Sequence, residues 1–350
     1  MDNQSLISLY RKMLLVRVFE DKSAEMYTKA RIAGFLHLTN GQEAIAVGAM
    51  SALNADDDLF THYRDHGYAI LKGASPESVM AELFGRATGT TGGRGGSMHL
   101  IHMDTNYWGG YAIVGGHLTL ASGVAAANQF HGNGRVVTCV MGDGSTNIGT
   151  FHAALNWAQL WKLPIIFLVE NNQFAMGTTI RNHSALPDVY RKADGYGMAA
   201  EQVDGNDVLA VHDVIARAAA RGRAGEGPTL VEAVTYRHRG HSMADPDVQR
   251  DKAEIADWKK RDPIHRFANE VLLKRGIASP QDLEEISAEV EARVDKAAEF
   301  AENSPEPALD TLYKHIYMEP VSNMQVGGSL IRPPQIGARV ASSEGENGRQ

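Results

Sequence analysis

The chain has 350 residues, 43% of them hydrophobic and 22% charged, which is enough apolar material for one large globular domain with an ordered core. Its formal net charge of -8 excludes the basic face that a nucleic-acid partner requires. No apolar run reaches bilayer-spanning length, MDNQSLISLY carries no signal-peptide pattern, and one cysteine can form neither an internal disulfide nor a thiolate zinc site. A cytoplasmic protein with no membrane contact is expected, with Cys139 of VVTCVM a small core residue.

Residues 5–31 place Leu6, Leu9, Tyr10, Met13, Leu14, Phe19 and Met26 at helical spacing with charges between them. Thr39-Asn40-Gly41-Gln42 matches a capping box ahead of the apolar stretch Ala44 to Leu53. Ser75-Pro76 opens a short helix that should stop at Gly85. From Arg86 to Gly116 glycine recurs, as in GTTGGRGGSMH and YWGGYAIVGG, and the stretch reads as a long loop lining something. Val136 to Met141 is a short β-branched run bounded by GDG. Thr150 to Trp161 then has helical spacing, closed by Leu163-Pro164, and IIFLVE is a second apolar run ending in Asn171-Asn172. That is a βαβ unit with two buried parallel strands. Asp207 to Arg221 as helix and Thr229 to Val234 as strand repeat the pattern, so the fold class is α/β with a mostly parallel sheet and helices on both faces. After Pro263 the chain turns helical, and Ser279-Pro280 starts a long charged helix ending near Asn303. From about residue 320 periodicity is lost. One domain over residues 1–318 and a mobile tail over 319–350 are expected.

In a parallel sheet, ligands bind outside the carboxyl ends of the strands. Asp143 sits just past the first central strand and Asn172 just past the next, so both oxygens fall at one edge. A carboxylate and an amide carbonyl suit a hard cation such as magnesium, which bridges to substrate phosphates. Gly144 lets backbone approach closely, and the helix that follows should offer its N-terminal amides to an anion. GDGSTNIG is not a dinucleotide fingerprint, because Asn147 stands at the third glycine position; no GxxxxGK[ST] sequence is present, so a P-loop is excluded.

GDG, 26 residues, then NN resembles the thiamine-diphosphate signature. Together with GFLHLTNGQEA, THYRDHGY, GGRGGSMH and YRHRGHSMADP, the chain from about residue 5 to 318 is similar to the alpha subunits of two-chain 2-oxo acid dehydrogenases of the pyruvate dehydrogenase type. The resemblance implies the thiamine-diphosphate-binding fold, with Asp143, Asn172 and the backbone carbonyl of Phe174 ligating magnesium. It implies that Tyr63 and Arg64 hold the diphosphate, with Gly144 and Ser145 contacting it, and that Ala112 and Val114 lie against the aminopyrimidine ring. It places His241 on the loop that covers the diphosphate and faces the lipoyl substrate, where an imidazole can carry a proton as a catalytic group. His62, His66 and His99 are expected as pocket walls, and Ser242 matches a position phosphorylated in animal relatives. The family commonly has Gly at 112, Gln at 117 and Tyr at 174, where this chain has Ala112, His117 and Phe174.

The implied activity is oxidative decarboxylation of a 2-oxo acid, with the cofactor as electron sink and the acyl group passed to the lipoyl arm of a dihydrolipoyl acyltransferase. Pyruvate is the expected substrate. Acetoin is the nearest alternative, since acetoin dehydrogenase alpha subunits share nearly every motif; branched-chain 2-oxo acids come third, and a non-catalytic scaffold subunit is the alternative of another class. In two-chain members the glutamate that activates the cofactor comes from the beta subunit, so a heterotetramer of two alpha and two beta chains is implied.

Overall fold

Period-two burial in two adjacent strands organises the molecule. In β3 (Val137–Gly142), Val140 packs into one core while Val137, Cys139 and Met141 pack into the other. In β4 (Ile165–Asn171), Ile166 and Leu168 join the first core, and Ile165, Phe167 and Val169 the second. Strands apolar on both faces require helices over both. The computed structural model describes residues 1–312 and 314. It divides the chain into Met1–Glu306 and Pro307–Gln350, and in the second unit a short helical turn at Leu309–Thr311 is described. The tail expected over 319–350, and its boundary at 318, lie outside the described residues.

Six parallel strands run in the order β2-β1-β3-β4-β8-β7, with β1 at Asp58–His62, β2 at Tyr107–Tyr111, β7 at Ala199–Asp204 and β8 at Thr229–Val234. Strand order reverses between β1 and β3, and a crevice opens at the carboxyl end of a sheet where this happens. A two-stranded antiparallel ribbon, β5 (Phe174–Ala175) and β6 (Thr178–Thr179), follows β4 directly.

One face is covered by α1 (Asn3–Thr28), α2 (Glu43–Ala52), α3 (His66–Lys72), α4 (Pro76–Leu83), α8 (Val208–Arg223) and α11 (Pro280–Asn303). The other is covered by α5 (Leu118–His131), α6 (Gly149–Trp161) and the short α7 (Ile180–His183). The apolar residues of α10 (Pro263–Phe267) join the first core, whereas α9 (Lys252–Lys259) buries none of its residues. No helix among the described residues is long and apolar enough to cross a membrane.

Ser75 caps α4 by accepting a hydrogen bond from the Ser78 amide at 3.0 Å, and Ser279 forms a full capping box with Asp282 at the start of α11. The box expected at Thr39–Gln42 does not form. Gln42 precedes α2 without capping it, Thr39 Oγ1 donates instead to the Arg64 carbonyl at 3.2 Å, and the Gln42 side chain is taken by Asn172.

The stretch 86–116 is not one long loop, because it contains β2. YWGGY reads as loop on its glycines, yet those glycines make room: a Cβ on Gly110 would meet Asp65 Oδ2 at 1.9 Å. Upstream, the TTGGRGG segment wraps round the buried Glu82. That carboxylate accepts bonds from Thr91 N and Oγ1 and from the amides of Gly93, Gly95 and Gly96, at 2.6–3.1 Å. Backbone amides thus satisfy a charge that would be costly to bury unpaired.

Candidate active site

The turns leaving β1, β3 and β4 converge on a cleft of about 230 Å³. Its lining includes His62, Tyr63 and Arg64 after β1, Val114 and His117 ahead of α5, Asp143, Gly144 and Ser145 after β3, Asn172 and Phe174 after β4, and Arg237 after β8. Nine of the residues expected at the site therefore share one cavity: His62, Tyr63, Arg64, Val114, Asp143, Gly144, Ser145, Asn172 and Phe174. Ala112 does not line it. His241 lies on an adjoining cleft of about 480 Å³, with His37 and Ser242, and Met176 lines both.

Asp143 is buried and accepts a bond from His183 Nε2 at 3.0 Å. Asn172 donates its amide to Gln42 Oε1 at 3.0 Å, while its own Oδ1 accepts the Phe174 amide at 3.3 Å. The Asn171–Asn172 corner is thus fixed before any ligand arrives. Gly144 allows the β5–β6 ribbon to close over the turn, since a Cβ there would meet that of Ala175 at 2.8 Å. The residues after Gly142 form a tight helical turn, Asp143–Asn147, and α6 begins only at Gly149. The amides nearest Asp143 therefore belong to that turn rather than to the helix the sequence suggested.

Two guanidinium groups supply the field. Arg64 Nη1 donates to the Leu38 carbonyl at 2.9 Å and Nη2 to the His241 carbonyl at 2.7 Å. Arg237 donates to the carbonyls of Arg239 and Met176, each at 3.0 Å. Both are buried, and each is held by backbone carbonyls rather than by a carboxylate among the described residues. Burial, with repulsion from Arg64 and Arg250, pushes Arg237 down to about 9, and burial likewise lowers Arg64. Two desolvated cations beside one cavity are costly unless a polyanion offsets them. Arg237 belonged to the sequence motif YRHRGHS, but nothing in its spacing marked it as the inward-facing arginine.

The histidines have separate roles. His62 Nδ1 accepts the Arg64 amide at 3.0 Å, so its proton sits on Nε2, which faces Glu170 Oε2 at 2.7 Å; Tyr68 donates to the other oxygen of that carboxylate at 2.6 Å. His117 faces the Val140 carbonyl through Nε2 at 2.8 Å, which leaves Nδ1 a buried acceptor without a partner. Burial lowers its affinity for a proton to about 4. His66 and His99 are not cavity walls. His66 is fully buried between Glu20 Oε2 and Ser97 Oγ, 2.8 Å from each, and His99 faces the Gly110 carbonyl at 3.2 Å. His241 lies beside His37, ring centres 4.9 Å apart; burial, then Arg64, lowers His241 to about 4 and His37 to about 2. His37 lies in the motif GFLHLTNGQEA but was given no role there, and His183 had no sequence signal beyond being a histidine.

Among the described residues no three His, Cys, Asp or Glu side chains gather into a metal cage. A cation at Asp143 and Asn172 would therefore have one carboxylate and depend on oxygens of a bound ligand, which is the donor set of a metal-bridged diphosphate. At the open carboxyl edge of the sheet, Asp143 and Asn172 thus share one cavity with the guanidinium groups of Arg64 and Arg237.

The chain belongs to the dehydrogenase E1 component family, whose model matches residues 10–310. It is 44% identical over 321 residues to the pyruvate dehydrogenase E1 component subunit alpha of Porphyra purpurea, covering 90% of this chain and 93% of that one. It is 42% identical to the corresponding subunit of Rhizobium meliloti over 313 residues, 89% of this chain and 90% of that one. A chloroplastic alpha-3 subunit from Arabidopsis thaliana is 42% identical over 320 residues, 90% of this chain and 74% of its own length.

Proposed function

We propose that this chain is the magnesium-diphosphate half of a thiamine-diphosphate-dependent pyruvate dehydrogenase, working in the cytoplasm as a heterotetramer with a beta chain. The observation that carries the reading is the pair Arg64 and Arg237, buried without a carboxylate partner among the described residues and lining one cavity with Asp143 and Asn172. A bound diphosphate would offset those charges, and Asp143, Asn172 and the Phe174 carbonyl would be the protein ligands of its magnesium. When bound, the cofactor supplies an electron sink for loss of carbon dioxide from a 2-oxo acid. The chain's own residues orient and neutralise: Tyr63, Arg64, Gly144 and Ser145 hold the diphosphate, and Val114 presents an apolar wall. His241, neutral near pH 7, is the proton carrier toward the lipoyl arm of a dihydrolipoyl acyltransferase.

Pyruvate is favoured by the names of the relatives at about 40% identity. A partner is favoured by exposed apolar side chains at the cavity-lining Val114, 48% exposed, and its neighbour Ile113, 74% exposed, and by the lack of a glutamate among the described residues that line the cavity. The test is co-expression with the beta subunit, cofactor titration with and without magnesium, and a panel of pyruvate, acetoin and branched-chain 2-oxo acids. Cofactor binding with pyruvate turnover supports the reading. Failure to bind cofactor makes the chain a scaffold, and preference for acetoin reassigns the substrate.

A further inference from the structure

We infer that His183 is a positioning residue that clamps one oxygen of Asp143 and so presents the other to the cation. The inference rests on the magnesium-diphosphate reading above and adds a residue that the sequence did not single out. Its support is a hydrogen-bond chain whose every direction is fixed.

Lys192 Nζ can only donate, and it lies 2.7 Å from Asn147 Oδ1, which settles the orientation of that amide. Asn147 Nδ2, also a donor, reaches the His183 carbonyl at 2.7 Å and its Nδ1 at 3.2 Å. His183 Nδ1 is therefore the acceptor and its proton sits on Nε2, which donates to Asp143 Oδ2 at 3.0 Å. The turn is braced a second time, because Lys192 also donates to Thr146 Oγ1 at 3.0 Å and Thr146 Oγ1 donates to the Asp143 carbonyl at 2.8 Å.

The placement decides between ligand and positioner. Asp143 lines the cofactor cavity and His183 does not, so the imidazole reaches the carboxylate from outside the ligand space. Three elements converge to build the clamp: the turn after β3, α7, and the helical segment Val189–Tyr196 that carries Lys192. A carboxylate with Oδ2 tied to an N–H cannot rotate freely, and its Oδ1 keeps both lone pairs for a hard cation. Partners of this outer kind typically change metal affinity by about 10–100-fold when removed.

The experiment uses the chain co-purified with its beta partner and titrates magnesium at fixed thiamine diphosphate, reading cofactor binding by calorimetry and turnover in parallel. His183→Ala should raise the magnesium half-saturation about 10–100-fold, with a far smaller fall in kcat at saturating magnesium. His183→Gln, whose amide can still donate to Asp143, should recover most of that loss. Should His183→Ala not fold, Asn147→Ala carries the test: it frees the imidazole tautomer without removing the ring and should give about a 3–10-fold shift. An unchanged magnesium half-saturation in a folded His183→Ala protein overturns the inference, as does an equal loss at every magnesium concentration. A parent protein that binds cofactor without magnesium overturns the underlying reading instead, which separates the two failures.

Discussion

Arg64 Nη2 donates to the carbonyl of His241 at 2.7 Å and also faces its Nδ1 at 3.3 Å. Because a guanidinium has only donors, Nδ1 is left as acceptor and the imidazole proton belongs on Nε2. The arginine that holds the diphosphate in the proposed reading thus also sets the tautomer of the histidine proposed to face the lipoyl arm.

That coupling makes binding and transfer separable. His241→Ala removes the ring but leaves Arg64 held by two backbone carbonyls, Leu38 and His241 itself. In the enzyme assembled with its beta subunit, cofactor affinity should change by less than about threefold. Reductive acylation of a lipoyl domain should fall roughly 10²–10⁴-fold. Decarboxylation assayed with an artificial electron acceptor should fall much less. Equal losses in the two assays would reduce His241 to a diphosphate anchor.

Asp143→Ala should abolish magnesium-dependent binding of thiamine diphosphate, because Asp143 is the one carboxylate among the cavity-lining residues. The turn itself should survive, since Thr146 bonds to the Asp143 backbone carbonyl rather than to its side chain. Titration calorimetry beside far-UV circular dichroism distinguishes lost binding from lost fold. Parent-like affinity in the variant would remove Asp143 from the metal.

How far the sequence spoke depended on where each signal came from. The two central strands and the positions of Asp143 and Asn172 were legible because doubly buried strands are continuous apolar runs and their ends are marked by GDG and NN. Strand β2 was not, because its glycines are there to admit Asp65 and carry no apolar pattern. Strands β1 and β7 gave no alternation distinct enough to separate them from their surroundings. Glu82, Arg237 and His183 were hidden for a different reason. Thr91 lies 9 residues from Glu82, Asp143 40 from His183 and Met176 61 from Arg237, so only the folded chain brings these donors to their acceptors.

Glu82 yields a stability test. Replacing it with Ala strands the amides of Thr91, Gly93, Gly95 and Gly96 around an empty space. The loss should be about 3 kcal/mol, the scale of several buried donors left without an acceptor and partly rescued by water. Urea unfolding measures it, and hydrogen exchange should rise first at residues 91–96. An unchanged midpoint would mean that the loop holds its shape without the carboxylate.

Acid should destabilise the cofactor-free protein in part through His117. Its folded value of about 4 lies below the ordinary histidine value of 6.5, so the unfolded chain binds the proton more readily between those limits. The contribution is therefore complete above pH 6.5 and is lost as pH falls toward 4. Going from pH 7 to pH 5, the parent should lose roughly 2 kcal/mol more than His117→Gln. Urea melts of both proteins at the two pH values check this, and parallel losses would show that His117 is protonated as easily folded as unfolded.

The isolated chain should be inactive, with turnover appearing only beside a beta partner. The cavity gathers the groups that suit one end of the cofactor: Asp143, Asn172, Arg64 and Arg237. Activating the other end needs a carboxylate in an apolar pocket, where its raised proton affinity lets it pair with the aminopyrimidine ring. No glutamate is among the residues lining the cavity. Glu170 is buried, but His62 and Tyr68 already occupy its two oxygens, at 2.7 and 2.6 Å. The acidic residues of α11 project from a helix whose buried stripe is Ile286, Val290, Val294, Ala297 and Ala301, which leaves the charges in solvent. Cavity-lining Val114 and its neighbour Ile113 are exposed and apolar, a surface that a second chain can cover. Purified alone, the chain should release no carbon dioxide from pyruvate at saturating cofactor and magnesium, and adding the beta subunit should restore the activity. Turnover by the lone chain would mean that an internal carboxylate moves into the cavity, and Glu170, freed from His62, would be the first to substitute.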